Sequence, residues 1–212
     1  MKYVVAILTL LTSSLSMAAV PIEGWYSSLF GGYVYLPNNI KNTNTGAYLS
    51  NATYRPGFDA GGSLGFKSTP MRYEGELTYL RANVNKFDAD FVKQTGVTGN
   101  SSAFFAMVNV FYDFQSVLPS IQPFLGGGIG YGWVNAKLNS TGPTYALGFS
   151  GSNCEFSYQG AAGFTYNFAE NYALTLGYRY IATLNANELG KFFQANLANV
   201  GVVYRFEENR YK

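Results

Sequence analysis

From Gly24 to Phe206 the chain falls into stretches of about ten to fifteen residues in which apolar and polar side chains alternate, the period of a strand with two unlike faces. In "GFDAGGSLGFK", 57 to 67, Phe58, Ala60, Gly62, Leu64 and Phe66 share one face, and Asp59, Gly61, Ser63, Gly65 and Lys67 share the other. In "NVGVVYRF", 199 to 206, Val200, Val202, Tyr204 and Phe206 oppose Asn199, Gly201 and Arg205, with Val203 alone out of step. Eight such segments can be drawn, at 25 to 36, 57 to 67, 71 to 81, 103 to 114, 122 to 136, 155 to 168, 172 to 182 and 192 to 206.

The connections between them alternate in length. Those at 37 to 56, 82 to 102, 137 to 154 and 183 to 191 are long and polar, and those at 68 to 70, 115 to 121 and 169 to 171 are short. Short turns at one end and long loops at the other mark a transmembrane barrel of the outer membrane, with the short turns in the periplasm. The expected fold is therefore all-β: an eight-stranded antiparallel up-and-down transmembrane β-barrel.

Composition argues in the same direction. Charged residues make up 12% of the chain and aromatics 17%, against about 25% charged in an average soluble domain. The outward aromatics gather near strand ends, at Tyr33, Tyr35, Phe58, Phe66, Tyr73, Tyr79, Phe104, Tyr112, Tyr178, Tyr180, Tyr204 and Phe206, where amphipathic rings suit the two membrane interfaces. The competing fold is a soluble sandwich or lipocalin-like barrel with these rings in its core. It would need a charged exterior, and the opposite face is poor in charge and rich in glycine.

Residues 1 to 19, "MKYVVAILTLLTSSLSMAA", join a lysine to a short apolar run and small residues, which reads as a secretory signal cut after Ala18 or Ala19. The run is shorter than the ~18 to 20 apolar residues of a spanning helix. The expected organisation is a signal at 1 to 19, a barrel at 20 to 206 and a short periplasmic tail at 207 to 212. A formal net charge of +2 gives no nucleic-acid footprint.

The inward positions hold the chemistry. Asp59, Glu74, Glu76, Asp113 and Glu155 oppose Lys67, Arg72, Arg179 and Arg205, and charges out of water must be paired and hydrogen-bonded. This set is read as a structural salt-bridge network, with Glu76 and Arg179 meeting across the lumen. A general acid/base reading of Glu74 and Glu76 is disfavoured by their adjacency and by the available arginines. The run "GGGIGYG" lacks the spacing of a nucleotide loop. Gly126, Gly128, Gly130 and Gly132 instead point to one face, leaving room in a narrow lumen.

On "NVGVVYRF", with weaker support from "NVFYDF", "PFLGGGIGYG", "YQG" and "LGYRY", the chain resembles the small eight-stranded outer-membrane barrels related to the OmpA membrane domain, OmpX and the opacity-type surface antigens of Gram-negative bacteria. The resemblance covers everything after the signal and implies an outer-membrane location. It also implies that Asn199, Gly201, Tyr204 and Phe206 form the signal read by the barrel-assembly machinery. Enzymes built on such barrels work through histidine, and this chain has none. The expectation is a non-catalytic protein without cofactor or metal: a surface antigen or adhesin-like platform for loops, the alternative being a narrow porin-like channel. The partners implied are outer-membrane lipid and lipopolysaccharide, the assembly machinery, and host surface proteins or glycans. Truncation before Tyr204 should leave unfolded protein in the periplasm, and normal heat-modifiable gel mobility of the shortened chain would contradict this.

Overall fold

The computed structural model describes residues 23–37, 50–89, 92–115, 120–143, 147–184 and 193–206. The expected signal at 1 to 19 and tail at 207 to 212 lie outside the described residues. The strands are β1 (Gly24–Tyr35), β2 (Ser50–Tyr54), β3 (Gly57–Ser68), β4 (Met71–Ala89), β5 (Val92–Lys93), β6 (Thr98–Asp113), β7 (Ile121–Ser140), β8 (Leu147–Asn167), β9 (Tyr172–Thr183) and β10 (Gln194–Arg205). Each of β1, β3, β4, β6, β7, β8, β9 and β10 pairs antiparallel with two of the others. Because β1 pairs with both β3 and β10, the sheet closes into an eight-stranded barrel. The short β2 and β5 are additions to the far end of β4.

Alternation decides which way each side chain points. On β1, Val34 is 0% exposed while Leu29 on the opposite face is 74% exposed. Leu29 belongs to a continuous outward belt with Leu64, Leu77, Val108 and Ile129, and an apolar surface of that extent suits lipid. Val200, Val202, Tyr204 and Phe206 lie outside, and Val203 packs in the lumen with Tyr26 and Ala173. From Trp25 to Tyr33 is roughly 27 Å of strand at ~3.4 Å per residue, which at a tilt near 40° approaches the ~25 Å apolar band of outer-membrane barrels.

The connections drawn at 82 to 102 and 137 to 154 are corrected: β4 continues to Ala89, β6 begins at Thr98, β7 continues to Ser140 and β8 begins at Leu147. Inward positions there remain apolar or small, as at Ala82, Val84, Ala136 and Leu138. The outward positions Arg81, Asn83, Asn135 and Lys137 are polar. The strands leave the membrane while still paired, and the lipid-facing stripe that marks a spanning strand ends where the lipid ends. Tyr54 packs in this extension against Val84 and Leu138, where burial pushes its hydroxyl up to about 12.

The inward glycines of β7 lie against the backbone and lumen side chains of β6. A Cβ on Gly126 would meet Phe111 at 2.3 Å, one on Gly130 the Ala106 carbonyl oxygen at 2.1 Å, and one on Gly132 the Phe105 ring at 2.5 Å. Gly160 on β8 faces outward with nothing within 4 Å of that point. Gly130→Val should therefore destabilise the refolded barrel by about 1 to 3 kcal/mol or block refolding, as overpacking does. Gly160→Val should leave the urea midpoint in lipid vesicles nearly unchanged, and equal effects would refute the steric account.

Candidate functional site in the barrel lumen

Two arginines organise the lumen. Arg179 on β9 donates from Nη1 to Glu76 Oε1 at 2.5 Å, from Nη2 to Asp59 Oδ2 at 3.3 Å and from Nε to Asn199 Oδ1 at 2.9 Å. Its guanidinium lies 4.4 Å from the centre of the Phe30 ring. Glu76 also accepts from Thr78 at 2.7 Å and from Asn109 at 2.9 Å, and Asn109 accepts from Gln159 at 2.6 Å. Asn199 donates to Asp59 Oδ2 at 2.5 Å, which ties the closing strand to β3.

Arg72 on β4 forms the second centre, nearer the short turns. Its Nε lies 2.7 Å from Asp113 Oδ1 and its Nη1 3.2 Å from Glu74 Oε1. It sits between two rings, 5.1 Å from the centre of Phe111 and 4.9 Å from that of Phe124. Lys67 reaches Asp113 at 3.0 Å and donates to Gln122 at 2.8 Å, and the Tyr26 hydroxyl donates to Glu74 at 2.6 Å. A guanidinium fits such a setting better than an ammonium, because its plane stacks on rings while its edge makes forked hydrogen bonds.

The lumen thus brings together Asp59, Glu76 and Arg179 in one cluster and Lys67, Arg72, Glu74 and Asp113 in another. Two members of the expected network stand apart. Arg205 is buried but donates to Asn167 at 2.6 Å and to the Glu170 carbonyl at 3.3 Å, in place of a carboxylate. Glu155 accepts from Asn153 at 2.6 Å, higher on β8 and away from the cations. Of the residues read as an assembly signal, Tyr204 and Phe206 face outward with ring centres 5.3 Å apart, while Asn199 and Gly201 face inward. The neutral partners Asn109, Gln159, Gln122, Asn167 and Tyr26 were not singled out from sequence. Their signal was polarity at an inward position of a strand.

Above the charged clusters, toward the long connections, the lumen turns apolar. Val34, Leu80, Phe105, Ile181 and Leu197 are each 0% exposed and pack into one core with Met107, Val134 and Phe193. Below this cap, a cavity of about 70 Å³ is lined by Arg72, Glu74, Glu76, Thr175, Arg179 and Asn199 among others. That is room for a few waters and well short of the ~300 Å³ of a small-molecule pocket. Every carboxylate of the two clusters is held by a cation or an amide, while Asp59 Oδ1 and Arg72 Nη2 have no partner among the described residues.

A model of the outer membrane protein beta-barrel domain matches residues 5–206. A relative named outer membrane protein, from Gluconacetobacter diazotrophicus, is 31% identical over 231 residues, covering 96% of this chain. The chain spans 60% of that relative's length. Among solved structures, OprG from Pseudomonas aeruginosa superposes with a TM-score of 0.59 at 13% identity, covering 89% of this chain and 99% of that one. Neisserial surface protein A gives 0.57 at 18% identity, covering 86% and 97%. A major outer membrane protein from Thermus thermophilus gives 0.53 at 11%, covering 86% and 99%. At these identities the solved structures share the fold.

Breaking the Glu76–Arg179 pair should leave a buried charge without its partner, at about 3 to 5 kcal/mol. Arg179→Ala should destabilise the barrel by that order in urea unfolding, and adding Glu76→Ala should recover part of the loss. Strictly additive effects in the double-mutant cycle would show that the two do not interact.

Proposed function

The chain belongs to the outer membrane protein beta-barrel domain family and resides in the cell outer membrane, and from that premise we propose that it is a non-catalytic surface platform whose work is done by its long connections. One observation carries this reading: the apolar cap of Val34, Leu80, Phe105, Ile181 and Leu197 closes the lumen above the paired charges. Eight strands enclose an interior that side chains roughly fill, whereas aqueous pores need about sixteen.

On this reading the connections after β1, β4, β7 and β9 lie outside the cell, and the start of β1 and the end of β10 face the periplasm with the turns after β3, β6 and β8. The paired extensions of β4, β6, β7 and β8 raise the platform above the membrane. Their outward surface is largely amide and hydroxyl, as at Asn83, Asn85, Asn100, Ser102, Asn135 and Asn139. The sequence "PNNIKNTNTGAYLSN" after β1 and the segment "KLNSTGPTYALGFSGSN", which runs from the end of β7 into β8, add aromatics among small polar residues, a mixture suited to host proteins or glycans. The four-residue assembly signal and contact with the assembly machinery belong to the same reading.

Refolded full-length protein in planar bilayers should give no steady conductance. Shortening the connections after β1 and β7 to tight turns should leave the barrel folded and lower attachment of bacteria to host cells or matrix. Steady single-channel currents together with unchanged attachment would replace the platform with the narrow channel.

A further inference from the structure

The outward face of the barrel changes character within one step of the ladder. Tyr79 on β4 pairs with Phe104 on β6, which pairs with Trp133 on β7, and the Phe104 and Trp133 rings lie 5.9 Å apart. Two residues further from the membrane, the same strands present Arg81, Ser102 and Asn135, and two further again Asn83, Asn100 and Lys137. Arg55 joins that last row: its backbone N–H donates to the Asn83 carbonyl at 2.8 Å, and its Nε donates to Asn85 Oδ1 at 3.2 Å.

Arg55, Arg81 and Lys137 are all exposed, and none is in a salt bridge among the described residues. The neighbouring outward positions on β8 are Ser150 and Ser152, so among the described residues of these rows no carboxylate faces the same side. Glu155, the nearest acid on β8, turns inward to Asn153. At the opposite end the cations Lys67, Arg72 and Arg205 are buried in the lumen, and the exposed charges among the described residues there are Glu23 and Glu170. Among the described residues, outward cations thus mark one membrane interface and not the other.

We propose that Arg55, Arg81 and Lys137 bind the phosphates of a phosphorylated glycolipid headgroup in the leaflet at the long-connection end. The arc spans three strand spacings, about 14 Å at ~4.8 Å per strand, which is wide enough for more than one phosphate. The aromatic row directly beneath packs against the acyl chains and holds the headgroup at the height of the cations. Arginine supplies forked hydrogen bonds to phosphate oxygens, and the intervening asparagines and serine supply donors to sugar hydroxyls. The proposal goes beyond the platform reading and stands whether or not the lumen conducts.

The test uses full-length protein refolded in zwitterionic micelles and titrated with diphosphoryl lipid A, bound lipid being counted by native mass spectrometry. Wild-type protein should bind it at least tenfold more tightly than dephosphorylated lipid A, with affinity falling as salt rises. Loss of each cation should weaken binding about fivefold, so Arg55→Gln/Arg81→Gln/Lys137→Gln should lose roughly a hundredfold. Lys93→Gln, which removes a charge where β5 pairs with Asp88 near the far end of β4, should bind as wild type. Heat-modifiable mobility verifies that each variant is folded, and the comparison of the two lipids on wild-type protein needs no variant. Equal binding of the two lipids, undiminished binding by the triple variant, or an equal loss in Lys93→Gln would overturn the proposal. Displacement by millimolar inorganic phosphate would assign the site to free phosphate and overturn the lipid.

Discussion

Arg179 is the point on which the barrel turns. A guanidinium buried in a space too small for bulk water must exchange its hydration for fixed partners, and the lumen supplies them on three sides: Glu76 on β4, Asp59 on β3 and Asn199 on β10, with the Phe30 ring against its face. Those contacts link strands far apart in sequence and draw the closing strand β10 into register with β1 and β9. Arg72 repeats the device between Phe111 and Phe124. The glycines of β7 follow from it, because rings and amides from β6 occupy the space their side chains would take.

This arrangement divides the lumen into two tiers with different physics. The lower tier is polar, so its stability rests on ion pairs and hydrogen bonds, which leave Asp59 Oδ1 and Arg72 Nη2 without a partner among the described residues; the upper tier is apolar, so its stability rests on close packing. The chemistry left for the outside world is on the paired extensions of β4, β6, β7 and β8, whose inner faces continue the apolar cap and whose outer faces carry amides and cations.

Much of this was legible in the sequence, for a physical reason. Where a strand separates lipid from lumen, a shift of one residue would expose every side chain to the wrong solvent, so the period of two is strictly kept and "GFDAGGSLGFK" can be assigned to faces by inspection. The same reasoning placed Glu76 and Arg179 on facing sides of the lumen. It failed beyond the membrane, where Arg81, Asn83 and Lys137 replace apolar residues outward and the contrast between faces fades although pairing persists. It placed Phe104 outward but missed the cap, since the inward face of "AFFAMVNVFYDF" mixes Phe105 and Met107 with Asn109 and Asp113 and nothing in the pattern marks where the lumen turns apolar. Arg205 and Glu155 point inward as read, but which inward charges meet depends on the stagger of the strands, and both find neutral partners.

The central claim is that the lumen is closed by packing above and paired charge below. Thr175, which lines the cavity beneath the cap, is the place to test it. In a Cys154→Ser background, Thr175→Cys in the folded barrel should resist a water-soluble thiol reagent added from either side and react promptly once the barrel is unfolded. Labelling of the folded barrel as fast as of the unfolded chain would show that water and solutes pass through the lumen and would contradict the account.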